Sequence, residues 1–123
     1  MARVAEKAQT KSILKADEVR TFEKGRVELV HMGDRAVARA TFEPGWKWSE
    51  HVKPIAGTRS CEAAHFGYQI SGTLVVLMDD GSKITVRAGD VVSIPAGHDA
   101  WIEGDEPCVV LDFQGMANYA KKR

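Results

Sequence analysis

Hydrophobic and polar residues alternate along most of the chain from residue 26 to residue 113, in short runs separated by turn signals. Residues 26–42 alternate on both sides of Gly33-Asp34, a dipeptide typical of tight turns. Alternation with a period of two is typical of strands that bury one face. This run therefore predicts two antiparallel strands joined by a hairpin.

The second half of the chain continues in the same way. Asp80-Gly81 predicts a hairpin turn between two apolar runs, and Gly89-Asp90 predicts another turn before the next run. The strands predicted here cover residues 74–78, 83–87, 91–94, 100–103 and 108–113. Short strands at this spacing, without a long helical pattern, predict an all-β sandwich or small barrel.

The two ends of the chain differ from this pattern. Residues 1–25 are interpreted as an N-terminal arm, residues 26–115 as the β-barrel and residues 116–123 as a short, basic, exposed tail. Lys7, Lys11 and Lys15 recur every four residues, which would place them on one helical stripe. A loosely packed arm without a helix is an equal alternative.

The strand from Cys61 to Gly72 sorts its side chains onto two faces. His65, Gly67 and Gln69 share the face of Cys61, while the aromatic and aliphatic residues between them take the other face. A glycine between two polar residues is expected to leave space beside His65, as a ligand site requires.

Two stretches have a spacing that resembles the two sequence motifs of the cupin superfamily. Five residues separate Gly45 from His51, and six separate His65 from Gly72. In the second stretch five residues separate Gly89 from the Pro95-Ala96-Gly97 turn. The resemblance covers about residues 40–114. It implies a double-stranded β-helix, the jelly-roll cupin barrel, in which both motif stretches line one end.

The resemblance also implies a metal site, although some ligand positions depart from the family pattern. Lys53 stands where a second histidine is usual, and His65 stands where a glutamate is usual. Ala100 takes the position of the last histidine, but His98 lies two residues earlier. Eleven residues separate Lys53 from His65, which is more than the family usually has.

His51, His65 and His98 are therefore the candidate ligands of one divalent transition metal, Fe, Zn, Ni or Mn. Imidazole is the commonest protein ligand of such ions, and three ligands leave positions open for a substrate. Gln69 is a weaker candidate for a fourth ligand. The alternative is that these histidines fill the barrel mouth without a metal, and the cation of Lys53 favours that alternative.

A carboxylate-type anion is the expected ligand or substrate, because Lys53 and Arg59 lie near the candidate site in sequence. The other residues predicted to contact it are the aromatic residues Trp46, Trp48, Tyr68 and Trp101. Trp46 and Trp48 could equally plug one end of the barrel. Asp99 and Glu103 are candidate partners that orient a ligand imidazole. No residue is assigned a catalytic role.

Composition and charge narrow the function classes. The 17 basic and 17 acidic residues cancel, so the chain lacks the electrostatic footprint of a nucleic-acid or anionic-membrane binder. An apolar leader is not evident at the N-terminus, so we expect a cytoplasmic protein in which Cys61 and Cys108 are free thiols.

The sequence leaves two function classes open. One is a metal-dependent enzyme that acts on a small acid as an oxygenase, isomerase or lyase. The other is a non-catalytic module that binds a small ligand. We also expect a homodimer, because small barrels commonly cover exposed strand edges by pairing and because the resemblance implies it.

Overall fold

The computed structural model describes residues 7–121, which fold into an all-β jelly roll of nine strands with two short α-helices and one turn of 3-10 helix, Ile13–Lys15. The strands are β1 Glu18–Phe22, β2 Gly25–Met32, β3 Arg35–Phe42, β4 His65–Ser71, β5 Thr73–Met78, β6 Lys83–Arg87, β7 Val91–Ile94, β8 His98–Glu103 and β9 Cys108–Asp112. The helices are α1 Trp48–His51 and α2 Lys53–Ala56. None of the helices within residues 7–121 is long and apolar enough to cross a membrane.

Two antiparallel sheets make up the barrel. One has six strands in the order β1-β2-β3-β9-β4-β7, and the other has three in the order β6-β5-β8. The predicted hairpins β2–β3 and β5–β6 are both present, and Gly33 and Gly81 take the positive φ that their turns require. The all-β prediction is confirmed.

The barrel interior is filled by the inward-facing residues of both sheets. Leu29 on β2, Ala38 on β3 and Val76 on β5 are fully buried in this interior. Burying such side chains contributes about 1.5–3 kcal/mol each for the larger ones. The sheets thereby form a dry scaffold whose one end carries the polar cluster described below.

Strand β4 has the predicted two-faced pattern, with His65, Gly67 and Gln69 buried and the residues between them exposed. The reason for the glycine differs from the expectation. A Cβ atom at Gly67 would lie 2.3 Å from the carbonyl oxygen of Leu111. Gly67 is therefore required by the close approach of the neighbouring strand β9, in addition to lining the space beside His65.

The N-terminal arm joins the sheet instead of forming a helical stripe. Its first six residues lie outside the described part of the chain, residues 7–12 have no regular secondary structure, and β1 pairs with β2 along its whole length. Lys11 bonds the carboxylate of Asp17, which in turn accepts the backbone N–H of His31. Within the described residues, the arm therefore packs against its own chain.

The C-terminal tail was expected to be exposed, but part of it is buried in the barrel mouth. Met116 and Tyr119 are 5% and 6% exposed. Arg20 on β1 donates to the backbone carbonyls of both residues. The tail was predicted to be exposed because it is short and basic, but Met116 and Tyr119 are large enough to pack in the barrel mouth.

Candidate metal centre

Three buried donor side chains converge at one end of the barrel. The side chains of Cys61, His65 and His98 each offer one ligand atom, and these atoms all lie within 4.8 Å of one another. His65 begins β4 and His98 begins β8. Within residues 7–121 this is the only group of three such residues that meets the geometry of a metal site.

The position of Cys61 is set by backbone contacts with β8. The N–H of Cys61 donates to the carbonyl of His98 at 2.8 Å, and the carbonyl of Cys61 accepts from Gly97 at 2.7 Å. These bonds form an isolated β-bridge outside the named strands. The bridge holds the thiol next to the two imidazoles.

His65 is oriented by a buried carboxylate. Its Nδ1 donates to Oδ2 of Asp112 at 2.7 Å, and Nε2 lies 3.7 Å from Sγ of Cys61. Burial alone would lower the pKa of His65, but the hydrogen bonds with Asp112 and Cys61 outweigh burial and raise it to about 9. The Asp112 bond fixes the ring so that Nε2 faces the thiol.

His98 is fixed in the same way by a backbone carbonyl. Its Nδ1 lies 2.9 Å from the oxygen of Pro95, which can only accept a hydrogen bond. Nδ1 therefore carries a proton, which leaves Nε2 as the nitrogen that would bind a metal. The rings of His98 and His65 meet edge to face, with centroids 5.4 Å apart.

The two imidazoles favour the ionised form of Cys61. Burial would raise the pKa of the thiol, but the hydrogen bonds with His65 and His98 lower it to about 6. Thiolate is the form of cysteine that binds metals and acts as a nucleophile. The opposite directions of the two shifts favour a thiolate–imidazolium pair of Cys61 and His65 in the metal-free protein.

This donor set fits a transition metal. Zinc binds cysteine sulfur at about 2.3 Å and imidazole nitrogen at about 2.0–2.1 Å, so its ligands lie roughly 3–4 Å apart. The 3.7 Å between Cys61 and His65 falls in that range. Both rings also donate their other N–H to a protein oxygen, as metal-bound histidines usually do.

His51 was predicted as a ligand, but the structure does not bring it into this group. Residues 48–51 form helix α1 instead of continuing a strand, and Nδ1 of His51 accepts the backbone N–H of Lys47 at 3.0 Å. Its Nε2 lies 3.2 Å from the carboxylate of Glu23. Cys61 takes the third position of the group instead.

The other predicted ligand and orienting residues also have different surroundings. The Gln69 amide donates to the carbonyls of Gly72 and Val86, and Gln69 is not part of the donor group. Asp99 accepts the backbone N–H groups of Ser49 and Ala100. Asp112, which was not predicted from the sequence, has the orienting role that was assigned to Asp99 and Glu103.

Two cavities adjoin the donor group. An inner cavity of about 50 Å³ is lined by His65, His98 and Asp112 together with Trp46 and other apolar residues. An outer cavity of about 620 Å³ lies between the helical segment and the C-terminal residues, with Cys61 in its wall. Trp48 and Tyr119 line both cavities. Both tryptophans are 2% exposed and lie at the predicted end of the barrel.

The remaining predicted contact residues do not line either cavity. Tyr68 is 42% exposed on the outer face of β4, and Trp101 lies under the ammonium group of Lys47, 5.4 Å from its ring centroid. Lys53 begins helix α2, and Arg59 lies in the following loop. The structure therefore separates these four residues from the predicted pocket.

Two of the residues that sequence reasoning missed had a detectable signal. Cys61 shares the alternation of His65, and cysteine is a soft ligand for zinc and iron. Asp112 occupies an inward position at the end of the otherwise apolar strand β9. A carboxylate at a buried strand position requires a partner, and that partner is His65. Tyr119 carried no comparable signal.

Comparisons with known proteins agree with this architecture. A family profile described as "Cupin domain" matches residues 38–114. The structure of a sugar phosphate isomerase of the cupin superfamily from Silicibacter pomeroyi is similar, with a TM-score of 0.62 and 19% identity. That alignment covers 87% of this chain and 75% of the other. No curated protein matches the chain.

Two further structures are similar in fold. Oxalate decarboxylase from Bacillus subtilis is 27% identical with a TM-score of 0.58, over 84% of this chain and 28% of that chain. The EutQ protein of Clostridium difficile is 15% identical with a TM-score of 0.54, over 77% of this chain and 70% of that chain.

Proposed function

Because this chain belongs to the cupin family, we propose that Cys61, His65 and His98 together bind one divalent transition metal. The convergence of three buried donor atoms within 4.8 Å carries the proposal. A thiolate and two imidazoles suit zinc, iron and nickel better than manganese, which prefers oxygen ligands. A bound metal would supply Lewis-acid or redox chemistry at the barrel mouth.

The surrounding residues prepare the donors for this role. Asp112 holds the Nδ1 proton of His65, and the carbonyl of Pro95 holds that of His98. Because His65 is protonated in the metal-free protein and Cys61 is ionised, binding releases the Nε2 proton of His65. Metal affinity is therefore expected to rise with pH between about 6 and 9.

We propose that this centre binds or acts on a small anion of the carboxylate type. A dication with one thiolate and two neutral imidazoles keeps one positive charge, which the Asp112 carboxylate beside His65 partly offsets, so an anion would bind mainly through an open coordination position of the metal. The similar proteins named as an oxalate decarboxylase and a sugar phosphate isomerase are both named for anions. The sequence had predicted an anion because of Lys53 and Arg59, but neither residue lines either cavity, so the proposal now depends on the metal centre.

Catalysis and simple binding are distinguished by turnover. The protein loaded with iron, zinc or nickel is incubated with oxalate, pyruvate, acetate and a sugar phosphate, each with and without oxygen. Conversion that is lost in Cys61→Ser would support an enzyme. Binding by calorimetry without conversion would support the non-catalytic alternative. Absence of both would contradict the proposal for anions.

We also propose that the chain forms a homodimer through the outer face of β4 and β7. Phe66, Tyr68, Ile70 and Val91 are 42–69% exposed there. A fully covered aromatic side chain buries roughly 150–250 Å², and Phe66 and Tyr68 are about half exposed. The four residues therefore supply only the centre of the ~800 Å² that a stable interface takes from each partner. A second copy presents the same uncharged face and covers it symmetrically.

Replacing Tyr68 with lysine is expected to shift the protein from dimer to monomer in light scattering at micromolar concentration. The introduced charges would face each other across the two-fold axis and lose water. Leu14→Lys is the control, because Leu14 is 76% exposed on the N-terminal arm. A wild-type monomer, or dissociation in both variants alike, would contradict the assignment of this face.

A further inference from the structure

The inner cavity is too small for the proposed ligand. Its volume of about 50 Å³ corresponds to one or two water molecules. Small-molecule pockets usually have about 300–1,000 Å³, a range that includes the 620 Å³ of the outer cavity. A ligand with more than a few atoms would therefore occupy the outer cavity while its head group reached the donors.

Tyr119 stands between the two spaces. Its ring packs edge to face on His65 with centroids 5.7 Å apart, and on Phe22 at 6.2 Å. The same side chain lines both cavities. Burial first, and then the negative charges of Cys61, Asp112 and Asp99, raise the pKa of the phenol well above its usual value. Tyr119 is thus a neutral partition beside the donor group.

Resting on the proposed metal centre, we propose that the outer cavity is its ligand chamber, that Tyr119 is a movable partition, and that Arg20 latches the partition closed. Small apolar residues such as Ala63 and Ala117 line the chamber, together with the hydroxyl of Thr58, the amide of Asn118 and one charge of each sign on Glu62 and Lys121. It therefore suits a ligand with a compact apolar body and one anionic, metal-binding head.

The latch is a nearly buried guanidinium that binds one segment of backbone. Arg20, whose side chain is 11% exposed, donates to the carbonyls of Met116 at 3.1 Å, of Tyr119 at 2.8 Å, and of Ala117. Its Nε donates to Glu18 at 2.7 Å, which orients the guanidinium. Hydrogen bonds that involve a charged donor are roughly twice as strong as neutral ones.

Little else binds the backbone of this segment to the barrel. Its other backbone hydrogen bonds among residues 115–121 are local, from Tyr119 to Met116 and from Lys121 to Asn118. The start of the segment is fixed, because a Cβ at Gly115 would lie 2.0 Å from the carbonyl oxygen of Ala64. A movement of the segment would therefore involve the residues after Gly115, where Arg20 supplies the hydrogen bonds to the barrel and the buried side chains of Met116 and Tyr119 supply the packing.

The test uses the full chain loaded with cobalt(II), whose absorption reports on its ligands. Acetohydroxamate and benzohydroxamate are the probes: both have the same metal-binding head, and only the second has an apolar ring. Their association rates and affinities are measured by stopped-flow absorption. Cobalt affinity is measured separately for every variant, so failure of the metal centre is distinguished from failure of the chamber.

Arg20→Met is expected to raise the association rate of benzohydroxamate at least about tenfold, because the charged hydrogen bonds that close the partition are lost. Tyr119→Ala, which removes the partition but keeps the latch, is expected to do the same. Ala117→Trp places an indole in part of the outer cavity and is expected to lower benzohydroxamate affinity about tenfold or more, with acetohydroxamate much less affected. Cobalt affinity stays unchanged in Arg20→Met and Ala117→Trp.

Ala88→Trp, in the exposed turn between β6 and β7, is the matched control and is expected to leave both probes unaffected. Unchanged association rates in both Arg20→Met and Tyr119→Ala would overturn the latch and partition. Equal benzohydroxamate affinity in Ala117→Trp and Ala88→Trp would overturn the chamber. A wild-type protein that binds no cobalt would overturn the metal centre on which both depend.

Discussion

Replacing His65 with alanine is expected to reduce the affinity for the transition metal by more than about 100-fold, since even the loss of an outer hydrogen-bond partner commonly costs 10–100-fold. Asp112→Asn, which leaves His65 in place but weakens its orientation, is expected to fall within that 10–100-fold range. Cys61→Ser exchanges a thiolate for a hydroxyl and should resemble His65→Ala. Elemental analysis and titration against a chelating indicator measure these differences.

The control that separates this ligand set from the one indicated by sequence is His51→Ala. Its imidazole bonds Lys47 and Glu23 and is not part of the donor group. We therefore expect His51→Ala to keep one metal per chain, although its stability falls because the helix α1 contact is lost. Metal loss in His51→Ala with retention in Cys61→Ser would restore the ligand set predicted from sequence.

Thermal unfolding gives a second, independent readout of the same site. A metal that binds only the folded state stabilises it by about 2.7 kcal/mol at a free concentration 100 times the Kd. Added metal should raise the Tm of wild type and His51→Ala, but not that of His65→Ala. Equal metal content in all variants, or none in any, would mean that the histidines and Cys61 only fill the barrel end.

Replacing Gly72 with alanine is expected to destabilise the scaffold by more than about 3 kcal/mol. Gly72 has φ +79, and its added Cβ would lie 2.6 Å from Cα of Cys108 and 2.7 Å from the carbonyl oxygen of Pro107. A left-handed backbone alone costs roughly 1–2 kcal/mol for a residue with a Cβ. The backbone overlap adds to that cost, because no rotamer can relieve it.

Gly81→Ala is the matched control, because it has a similar φ of +92 with nothing within 4 Å of the added atom. It should show only the conformational cost of about 1–2 kcal/mol. Urea unfolding of both variants separates the two contributions, since the linear dependence on denaturant gives each free energy of unfolding. Equal losses would show that the chain moves away from Gly72 without cost.

Local turn chemistry explains why most strands could be predicted from the sequence. The hairpins at Gly33-Asp34 and Asp80-Gly81 depend on residues within each turn, and both formed as expected. The pairing of β9 with β3 and β4 joins residues far apart in sequence. Alternation predicts that such a strand exists but not which strands it pairs with, so the order of the six-stranded sheet could not be predicted from the sequence.

The donor group was predicted where strand periodicity held and missed where it failed. His65 stands at a motif position, and His98 shares the inward face of Ala100, which stands at another, so alternation along the strands placed both histidines at the barrel mouth. His51 lies in helix α1, whose turn directs it to Glu23. Cys61 depends on a bridge to His98, which is distant in sequence, and no local pattern encodes such a contact. Helix α1 and that bridge explain why Cys61 is in the donor group in place of His51, which was predicted from the sequence.

The central position of β9 in the larger sheet has a consequence for how the protein matures. β9 is the last strand in chain order, yet it joins β1-β2-β3 to β4-β7. During synthesis β1-β2-β3 and β4-β7 cannot pair through β9 until β9 has been made, and native contacts between such distant segments form slowly and late. Asp112 arrives on the same strand, so His65 acquires its orienting partner only when the barrel closes. A chain that lacks β9 therefore has His65 without its orienting carboxylate, and the barrel and the oriented donor group are completed together.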